Sequence, residues 1–358
     1  MNDKYKSLLK KLVILISIII GGAALWLIFS KISISEVINT FRGVTFTQIF
    51  FYVLVQIIMM YALAYRWQVI LRSQGIKNTS LISLTNYKVV GYAVSFLTPT
   101  AKVGGEPVRA GLLASKHNLP FPKALSSVVI DKTLELTTSA GFFVIGGFVL
   151  LLSFVVQPQL RFWIIGVSLI FIILIGLFNY RMLSGKTFFL KIFEITGFAK
   201  IKKFNKFAKK LKNFEALVIK FYHKDRKFFF QAIFISLISW ILMFFEYSII
   251  GAFLGQNFSP FQIFLIFSFI GAAYLVPIPM ALGALEAGQI SVFKLIQIDA
   301  AEGVALSLVV RLKDMFISVI GLILLGFYGL KLKEVMKNAK RIDLEVERLK
   351  NLQKNHKN

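Results

Sequence analysis

Long uninterrupted apolar blocks are the feature of this sequence that most constrains its fold. Residues 12–29 and 162–178 contain no charged side chain. As helices, such blocks are long enough to cross a hydrocarbon core of about 30 Å. Charged residues make up only 16% of the chain, against roughly 25% in soluble domains. The sequence therefore predicts an all-α, polytopic membrane protein and argues against a soluble enzyme.

Residue types that usually carry catalysis or hold cofactors are scarce. The chain has no cysteine, and its histidines, His117, His223 and His356, lie far apart in the sequence. These facts exclude thiolate chemistry and argue against a histidine metal cluster, and no GxxxxGK[ST] or GxGxxG run provides a nucleotide site. We expect no cofactor and no metal, and we expect any transport to be passive or driven by a gradient.

Positive charge is concentrated beside the apolar blocks. Of 42 lysines and arginines, 14 lie in 181–228, nine in 331–358 and four in the first eleven residues. The positive-inside rule places such segments in the cytoplasm, where they contact anionic lipid head groups. We therefore expect a multi-pass protein of the cell membrane with cytoplasmic termini, a basic cytoplasmic linker (181–228), a basic cytoplasmic tail (331–358) and no nucleic-acid partner.

Six apolar segments predict spanning helices, whereas two other regions are broken by proline, glycine and charge. The first apolar segment runs into Lys31 without a small-residue cleavage site, so we expect an uncleaved first helix. The predicted spans are 12–30, 47–70, 123–152, 162–180, 229–254 and 304–330, and the broken regions are 80–121 and 260–300.

The two broken regions match each other when the sequence is shifted by 180 residues. Nine identities fall in 56 ungapped positions, against roughly four expected by chance from this composition. The identical pairs are Gly91/Gly271, Ala93/Ala273, Pro99/Pro279, Ala101/Ala281, Glu106/Glu286, Ser127/Ser307, Val129/Val309, Gly141/Gly321 and Gly146/Gly326. The sequence therefore predicts one membrane domain, 1–358, with repeat one at about 47–152 and repeat two at about 229–330.

The orientation of the repeats follows from the three basic segments, because even numbers of crossings must separate them if all are cytoplasmic. If each broken region dips into the membrane and returns, the repeats have opposite orientation, as in many transporters. Two short crossings in each broken region preserve the same parity and give ten spans. We predict a helix bundle with two inverted repeats, each containing a broken or re-entrant segment.

Two basic segments carry apolar residues at helical spacing, which indicates amphipathic helices. We interpret both as helices on the cytoplasmic leaflet, and the tail pattern also fits packing on a partner helix. The apolar positions are Phe204, Phe207, Leu211, Phe214, Val218 and Phe221 in the linker, and Val335, Ala339, Ile342, Val346 and Leu349 in the tail.

Ionisable residues inside apolar segments are the best pointers to function, because burying charge in a membrane is costly. Asp131 and Glu135 lie one turn apart and need a nearby cation, whereas we expect Lys132 to point elsewhere. Such charges either serve the substrate or merely neutralise one another. Both alternatives stay open for Arg66, Glu246 and Asp314. For Arg66 there is a further alternative, in which its side chain snorkels to a helix end.

Three cations are the favoured functional candidates. Arg109, Lys132 and Arg311 suit a phosphate oxyanion beside a helix broken by glycine and proline. Gly104-Gly105 and Gly283 either aim the N–H groups of helix starts at that anion or permit tight turns. The remaining charged positions of these segments are Glu106, Glu286 and Lys313.

Four runs of the sequence resemble the membrane domain of the lysylphosphatidylglycerol synthase family, also called flippase-like domain proteins. They are TPTAKVGGEPVRAGLLA (98–114), KALSSVVIDKTLEL (123–136), VPIPMALGALEAG (276–288) and VALSLVVRLKDM (304–315). The resemblance covers about 10–335. Two departures from the pattern are Lys132, where arginine is expected, and Met280-Ala281-Leu282, which replaces a more glycine-rich turn.

The resemblance implies a lipid translocase. In two-domain members a separate C-terminal domain transfers lysine from charged tRNA to phosphatidylglycerol, and because this sequence ends at Asn358 we expect a stand-alone member without it. The expected function is movement of an anionic or aminoacylated phospholipid, or another lipid-linked substrate, across the cytoplasmic membrane. The alternatives are the membrane part or partner of a lysyltransferase, and an assembly protein. A homo-oligomer or a partner synthase are the protein partners to test.

The resemblance also implies a central cavity for the lipid head group. Substrate-binding residues would be Glu106, Arg109, Asp131, Lys132, Glu286 and Arg311, and helix breaks or gating positions would be Pro99, Gly104, Gly105, Pro277, Pro279 and Gly283.

Overall fold

The computed structural model describes residues 26, 34–98, 104–152, 158–196, 205–276 and 278–328. Within these ranges the regular secondary structure is helical and contains no strand, which confirms the predicted all-α class. The helices are α1 (Ile34–Asn39), α2 (Phe46–Ser73), α3 (Leu81–Leu97), α4 (Glu106–Lys116), α5 (Phe121–Leu152), α6 (Pro158–Leu183), α7 (Phe189–Ile195), α8 (Asn205–Ile219), a π-helical turn (Lys220–Lys224), α9 (Arg226–Phe253), α10 (Pro260–Leu275), a 3₁₀ turn (Pro279–Ala281), α11 (Ala284–Leu295) and α12 (Ala300–Phe327).

The predicted spans correspond to the long helices. Those at 47–70, 123–152, 162–180, 229–254 and 304–330 coincide with α2, α5, α6, α9 and α12. The predicted span at 12–30 lies outside the described residues apart from Trp26, as does the amphipathic tail. Both broken regions are interrupted as expected, the first by the gap between α3 and α4 and the second by the 3₁₀ turn between α10 and α11.

The order of helices repeats along the chain with the offset of 180 residues that aligns the sequence. Helix α2 runs from Phe46 to Ser73 and α9 from Arg226 to Phe253, so both bounds move by that offset. The starts of α3, α4 and α5 correspond to those of α10, α11 and α12 within two residues. Each predicted repeat therefore consists of a long helix, two short helices and a second long helix.

Large apolar side chains are exposed along the long helices. Helices α2 and α9 are each long and apolar enough to cross a bilayer. Exposed apolar surface of this extent marks a membrane or protein contact, and these faces fit contact with lipid. Examples are Phe50 and Ile57 in α2, Ile173 and Leu174 in α6, Phe234 and Ile241 in α9, and Phe316 and Ile323 in α12.

The described residues divide into two compact units. The first unit comprises 26, 34–60, 88–98, 104–105, 240–276 and 278–328, and the second comprises 61–87, 106–152, 158–196 and 205–239. In the first unit, α11 packs against α10 and α12, and α1 packs against α12. In the second unit, α4, α6 and α8 pack against α5, and α7 packs against α8.

The basic linker contributes to the core of the second unit. Val218, Phe221 and Tyr222 are buried against a cluster that includes Ile130 and Met182. The lipid-surface interpretation is therefore wrong for the second half of this segment, because protein covers its apolar positions. The side chains of Phe204 and Phe207 lie outside the described part of the chain.

A buried carboxylate joins α7 to α8. Glu215 is fully buried and accepts the backbone N–H groups of Phe188, Phe189 at 2.7 Å and Leu190 at 3.1 Å. The first N–H groups of a helix lack partners within the helix, and a negative charge there is also favoured by the helix dipole. Glu215 thus holds the start of α7 against α8.

We expect Glu215→Ala to lower the free energy of unfolding by about 2 kcal/mol, because it leaves three N–H groups without their acceptor. Thermal unfolding in detergent and the rate of tryptic cleavage within 181–228 would measure the effect. The matched control is Glu194→Ala in α7, whose half-exposed side chain lies 3.9 Å from Lys191. Equal behaviour of the two variants would contradict the role assigned to Glu215.

Candidate functional site

A buried carboxylate with two arginine partners lies at the centre of the charged residues of the second unit. Asp131 in α5 is fully buried. Its Oδ1 accepts from Arg66 Nε at 2.8 Å and its Oδ2 accepts from Arg109 Nη2 at 2.8 Å. Arg66 also donates from Nη1 to Ser236 Oγ at 3.1 Å. The expected cation beside Asp131 is confirmed, and Arg66 is 2% exposed, so it does not snorkel.

Arg109 lies in the first turn of α4 and uses only part of its guanidinium group to bind Asp131. Its guanidinium carbon lies 4.4 Å from the ring centroid of Trp67, a geometry that favours a cation on an aromatic face. Its Nε is buried without a hydrogen-bond partner among the described residues, as is Oε2 of Glu106. Buried polar atoms normally have partners, so both atoms can bind a polar ligand or water.

Lys132 forms a more exposed ion pair on the same helix. Its Nζ donates to Glu135 Oε1 at 2.7 Å, with side chains 21% and 45% exposed. Arg66 Nη2 also lies 3.9 Å from Glu135 Oε2. The expectation that Lys132 points away from both carboxylates is wrong for Glu135, because residues three apart share a helix face.

The first unit contains an arginine that joins two parts of the chain. Arg311 in α12 donates from Nε to Glu286 Oε1 at 2.9 Å, and its Nη2 pairs with the same oxygen. Its Nη1 donates to the Met280 carbonyl oxygen at 3.1 Å. Glu286 is 1% exposed, and its Oε2 accepts from the backbone N–H of Gly283 at 3.0 Å. One ion pair therefore holds both the 3₁₀ turn within the break and the start of α11.

This break has a strained backbone. Met280 and Ala281 have φ values of 59° and 50°, and Gly283 has a φ of 75°. Glycine adopts positive φ without penalty, whereas other L-residues pay roughly 1–2 kcal/mol. The departure from a glycine-rich turn noted in the sequence thus has a physical cost at Met280 and Ala281.

Two more buried carboxylates of the first unit each have a partner within that unit. Lys313 Nζ donates to Glu246 Oε1 at 2.6 Å, and the Tyr274 hydroxyl donates to Asp314 Oδ2. Arg66 and Glu246, which correspond at the 180-residue offset, therefore each neutralise a charge on the last long helix of their repeat. This supports the neutralising alternative for both.

The N–H groups of the three glycines have partners within the protein. Gly104 and Gly105 donate to Ser95 Oγ at 3.3 and 2.7 Å, and the Gly283 N–H is bound to Glu286. That the helix starts after these glycines aim their own N–H groups at an anion stays a prediction. The tight-turn alternative fits Gly105, where an added Cβ would lie 1.8 Å from the Gly91 carbonyl oxygen.

The proline positions fall at the edges of what the structure describes. Pro279 begins the 3₁₀ turn, whereas Pro99 and Pro277 lie outside the described residues.

Of the predicted substrate-binding residues, the structure brings Arg109 to Asp131 in the second unit and Arg311 to Glu286 in the first. Sequence reasoning missed Trp67, Ser95 and Tyr274, because a single aromatic or hydroxyl residue in an apolar helix gives no periodic signal.

A small cavity of the first unit adjoins the strained break. Its volume leaves room for about one water molecule. The lining residues are Ser95, Phe96, Thr98, Tyr274, Ile278, Met280 and Ala281. Within the described ranges no group of three or more metal-ligating side chains is present. The hydroxyl groups of Ser95, Thr98 and Tyr274 are among the polar groups that line the cavity.

Apolar helices with buried ion pairs beside interrupted segments define a helical membrane protein. The model of the lysylphosphatidylglycerol synthase TM region matches residues 14–326, and the chain belongs to that family. This confirms the resemblance found in the sequence. A UPF0104 membrane protein of Methanothermobacter thermautotrophicus is 24% identical over 344 residues, which cover 89% of this chain and 96% of that protein. No solved structure matches the chain significantly.

Proposed function

We propose that this chain is a lipid translocase of the cell membrane that moves an anionic or aminoacylated phospholipid, or another lipid-linked anion. The observation that carries the proposal is the hydrogen bonding of two arginines that lie among apolar helices. Arg109 and Arg311 are each bonded to a buried carboxylate. Arg109 Nε is buried without a partner among the described residues, and the bonds of Arg311 within the described ranges use three of its five N–H groups. Such groups suit a phosphate oxyanion.

The physical barrier to lipid crossing is the head group rather than the tails. A lone charge at the centre of a bilayer costs several kcal/mol even on insertion scales. Guanidinium groups already neutralised by carboxylates can bind phosphate without first exposing a bare charge. The apolar helix faces leave the acyl chains in the bilayer, so only the head group needs a polar route.

The remaining predicted residues complete this proposal. We assign head-group binding to Glu106, Arg109, Asp131, Lys132, Glu286 and Arg311, and helix breaks to Pro99, Gly104, Gly105, Pro277, Pro279 and Gly283. The parity of crossings between the basic segments supports opposite orientation of the two repeats, and an inverted pair presents equivalent sites to the two leaflets. Cytoplasmic termini follow from the basic segments.

The test is flipping of labelled phosphatidylglycerol in proteoliposomes by folded variants. We expect Arg109→Gln and Arg311→Gln to slow flipping by about tenfold or more, the equivalent of one charge-assisted hydrogen bond. The control is Arg72→Gln at the end of α2, where Arg72 is exposed and bonds only locally to Gln68, and its rate should stay at the wild-type value.

Equal rates in the wild type and both site variants would contradict the assignment of these arginines. Losses in flipping that merely follow losses in folded yield would make them structural. If wild-type protein flips no lipid but yields a labelled aminoacyl lipid with an added donor and partner enzyme, the lysyltransferase alternative replaces the translocase.

A further inference from the structure

Arg311 serves two contacts that have different consequences. Its contact with Glu286 neutralises a buried charge, whereas its contact with the Met280 carbonyl oxygen, 3.1 Å away, holds the chain break of residues 278–283. We propose that Arg311 is a ligand-released clamp: an oxyanion of the lipid head group binds its remaining N–H groups, draws the guanidinium from Met280 and lets the break rearrange. This inference rests on the proposed function, since the head group is the ligand.

The guanidinium has donors to spare for such a ligand. Arginine carries five N–H groups in a planar fork. Three are committed, two to Glu286 and one to Met280. Within the described part of the chain, no acceptor is bound to the other two, and the side chain is 11% exposed. Phosphate binds such a fork in bidentate fashion, and so competes with a neutral carbonyl on the same nitrogen.

The backbone of the break is strained, and the contact with Arg311 holds it in that conformation. Met280 and Ala281 occupy the left-handed region, which residues with a Cβ adopt only when their surroundings impose it. Arg311 holds the Met280 carbonyl, and Glu286 holds the Gly283 N–H at 3.0 Å. Loss of the first contact therefore frees the strained residues while α11 keeps its start.

The cavity beside the break explains why a release is needed. Ile278, Met280 and Ala281 of the break line it together with Ser95, Thr98 and Tyr274. A space for about one water is too small for a phosphoglycerol group. Rearrangement of the break enlarges this cavity and exposes its hydroxyl groups to the head group.

The arginine that forms the clamp in repeat two has no arginine at the corresponding position of repeat one. The position that corresponds to Arg311 at the 180-residue offset is Asp131, a carboxylate that cannot donate to a carbonyl. Asp131 instead accepts from Arg66 and Arg109. We therefore expect the ligand to rearrange the break at 278–283 in repeat two. Position 131 of repeat one offers no donor for a matching contact.

The absence of native cysteine permits a direct test by single-cysteine labelling. Ile278→Cys places a thiol on the cavity wall, and its rate of reaction with a maleimide is measured in maltoside micelles. Short-chain phosphatidylglycerol should raise the rate several-fold. Diacylglycerol with the same acyl chains and no phosphate should leave it unchanged, and inorganic phosphate tests whether the oxyanion alone suffices. Phe327→Cys, at the exposed end of α12, should not respond to any of them.

Two further variants separate the clamp from simple stability. Arg311→Lys has one ammonium in place of the fork, so its Ile278→Cys label should react quickly without lipid. Adding Met280→Gly and Ala281→Gly should return that rate to a low value, because glycine removes the strain. If Arg311→Lys does not fold, the two glycine changes alone in the arginine background should still weaken the response to phosphatidylglycerol.

The outcomes distinguish this inference from the function on which it rests. Protein that flips phosphatidylglycerol while its Ile278→Cys label ignores the lipid overturns the clamp and leaves the translocase. Labelling that responds to phosphatidylglycerol in protein that flips no lipid supports the clamp and overturns the translocase. An equal response to diacylglycerol overturns the clamp.

Discussion

Asp131→Asn is expected to cause a large loss of folded protein. Asparagine preserves the shape of the side chain, but it leaves Arg66 and Arg109 in the interior without the carboxylate that lies 2.8 Å from each. Breaking a buried ion pair costs about 3–5 kcal/mol, a large part of a total stability of about 5–15 kcal/mol. The measurements are the monodisperse yield after extraction and the unfolding temperature in detergent.

The control for this change lies one turn away on the same helix. Glu135→Gln removes the same charge from a side chain that is 45% exposed, while Arg66 and Arg109 keep their bonds to Asp131 at 2.8 Å. We expect a nearly unchanged unfolding temperature. If the Asp131 and Glu135 variants lose equal stability, the two arginines do not depend on Asp131.

Gly105→Ala is expected to prevent correct packing of the first unit. The new Cβ would lie 1.8 Å from the Gly91 carbonyl oxygen and 2.8 Å from the Gly91 Cα. Both atoms are backbone, so a side-chain movement cannot relieve the overlap, and we expect a loss of about 3 kcal/mol or more. The Gly105 N–H bond to Ser95 Oγ would be strained by the same displacement.

Gly141→Ala is the matched control for that substitution. A Cβ at Gly141 in α5 meets no atom within 4 Å, and alanine favours a helix over glycine by about 1 kcal/mol. We therefore expect equal or greater stability, read from thermal unfolding of the two purified variants. An unfolding temperature for Gly105→Ala at or above that of Gly141→Ala would show that the backbones do not approach as described.

The positions of the helices could be predicted because a chain in lipid must satisfy its backbone hydrogen bonds locally. Hydropathy alone therefore gives the extents of α2 and α9, and proline and glycine mark the interruptions. The 180-residue offset emerged from nine identities and extends to the helix bounds. The orientation of the repeats stays a prediction from charge.

The pairing of charges could not be predicted, because partners lie far apart in the chain. Arg66 and Asp131 are 65 residues apart, and no local pattern states which cation reaches which carboxylate. The contact between Lys132 and Glu135 is predictable in principle, because residues three apart share a helix face. The linker was misassigned because an apolar helix face looks the same whether lipid or protein covers it, as Val218 and Phe221 show.

The central claim is tested most directly by lipid flipping in proteoliposomes of the wild-type chain. Vesicles would carry head-group-labelled phosphatidylglycerol or phosphatidylcholine, and an outside-only quencher would report the label in each leaflet. We expect inner-leaflet phosphatidylglycerol to become accessible faster than in protein-free vesicles, and faster than phosphatidylcholine. Rates equal to those of protein-free vesicles for both lipids, with folded protein present, would contradict it.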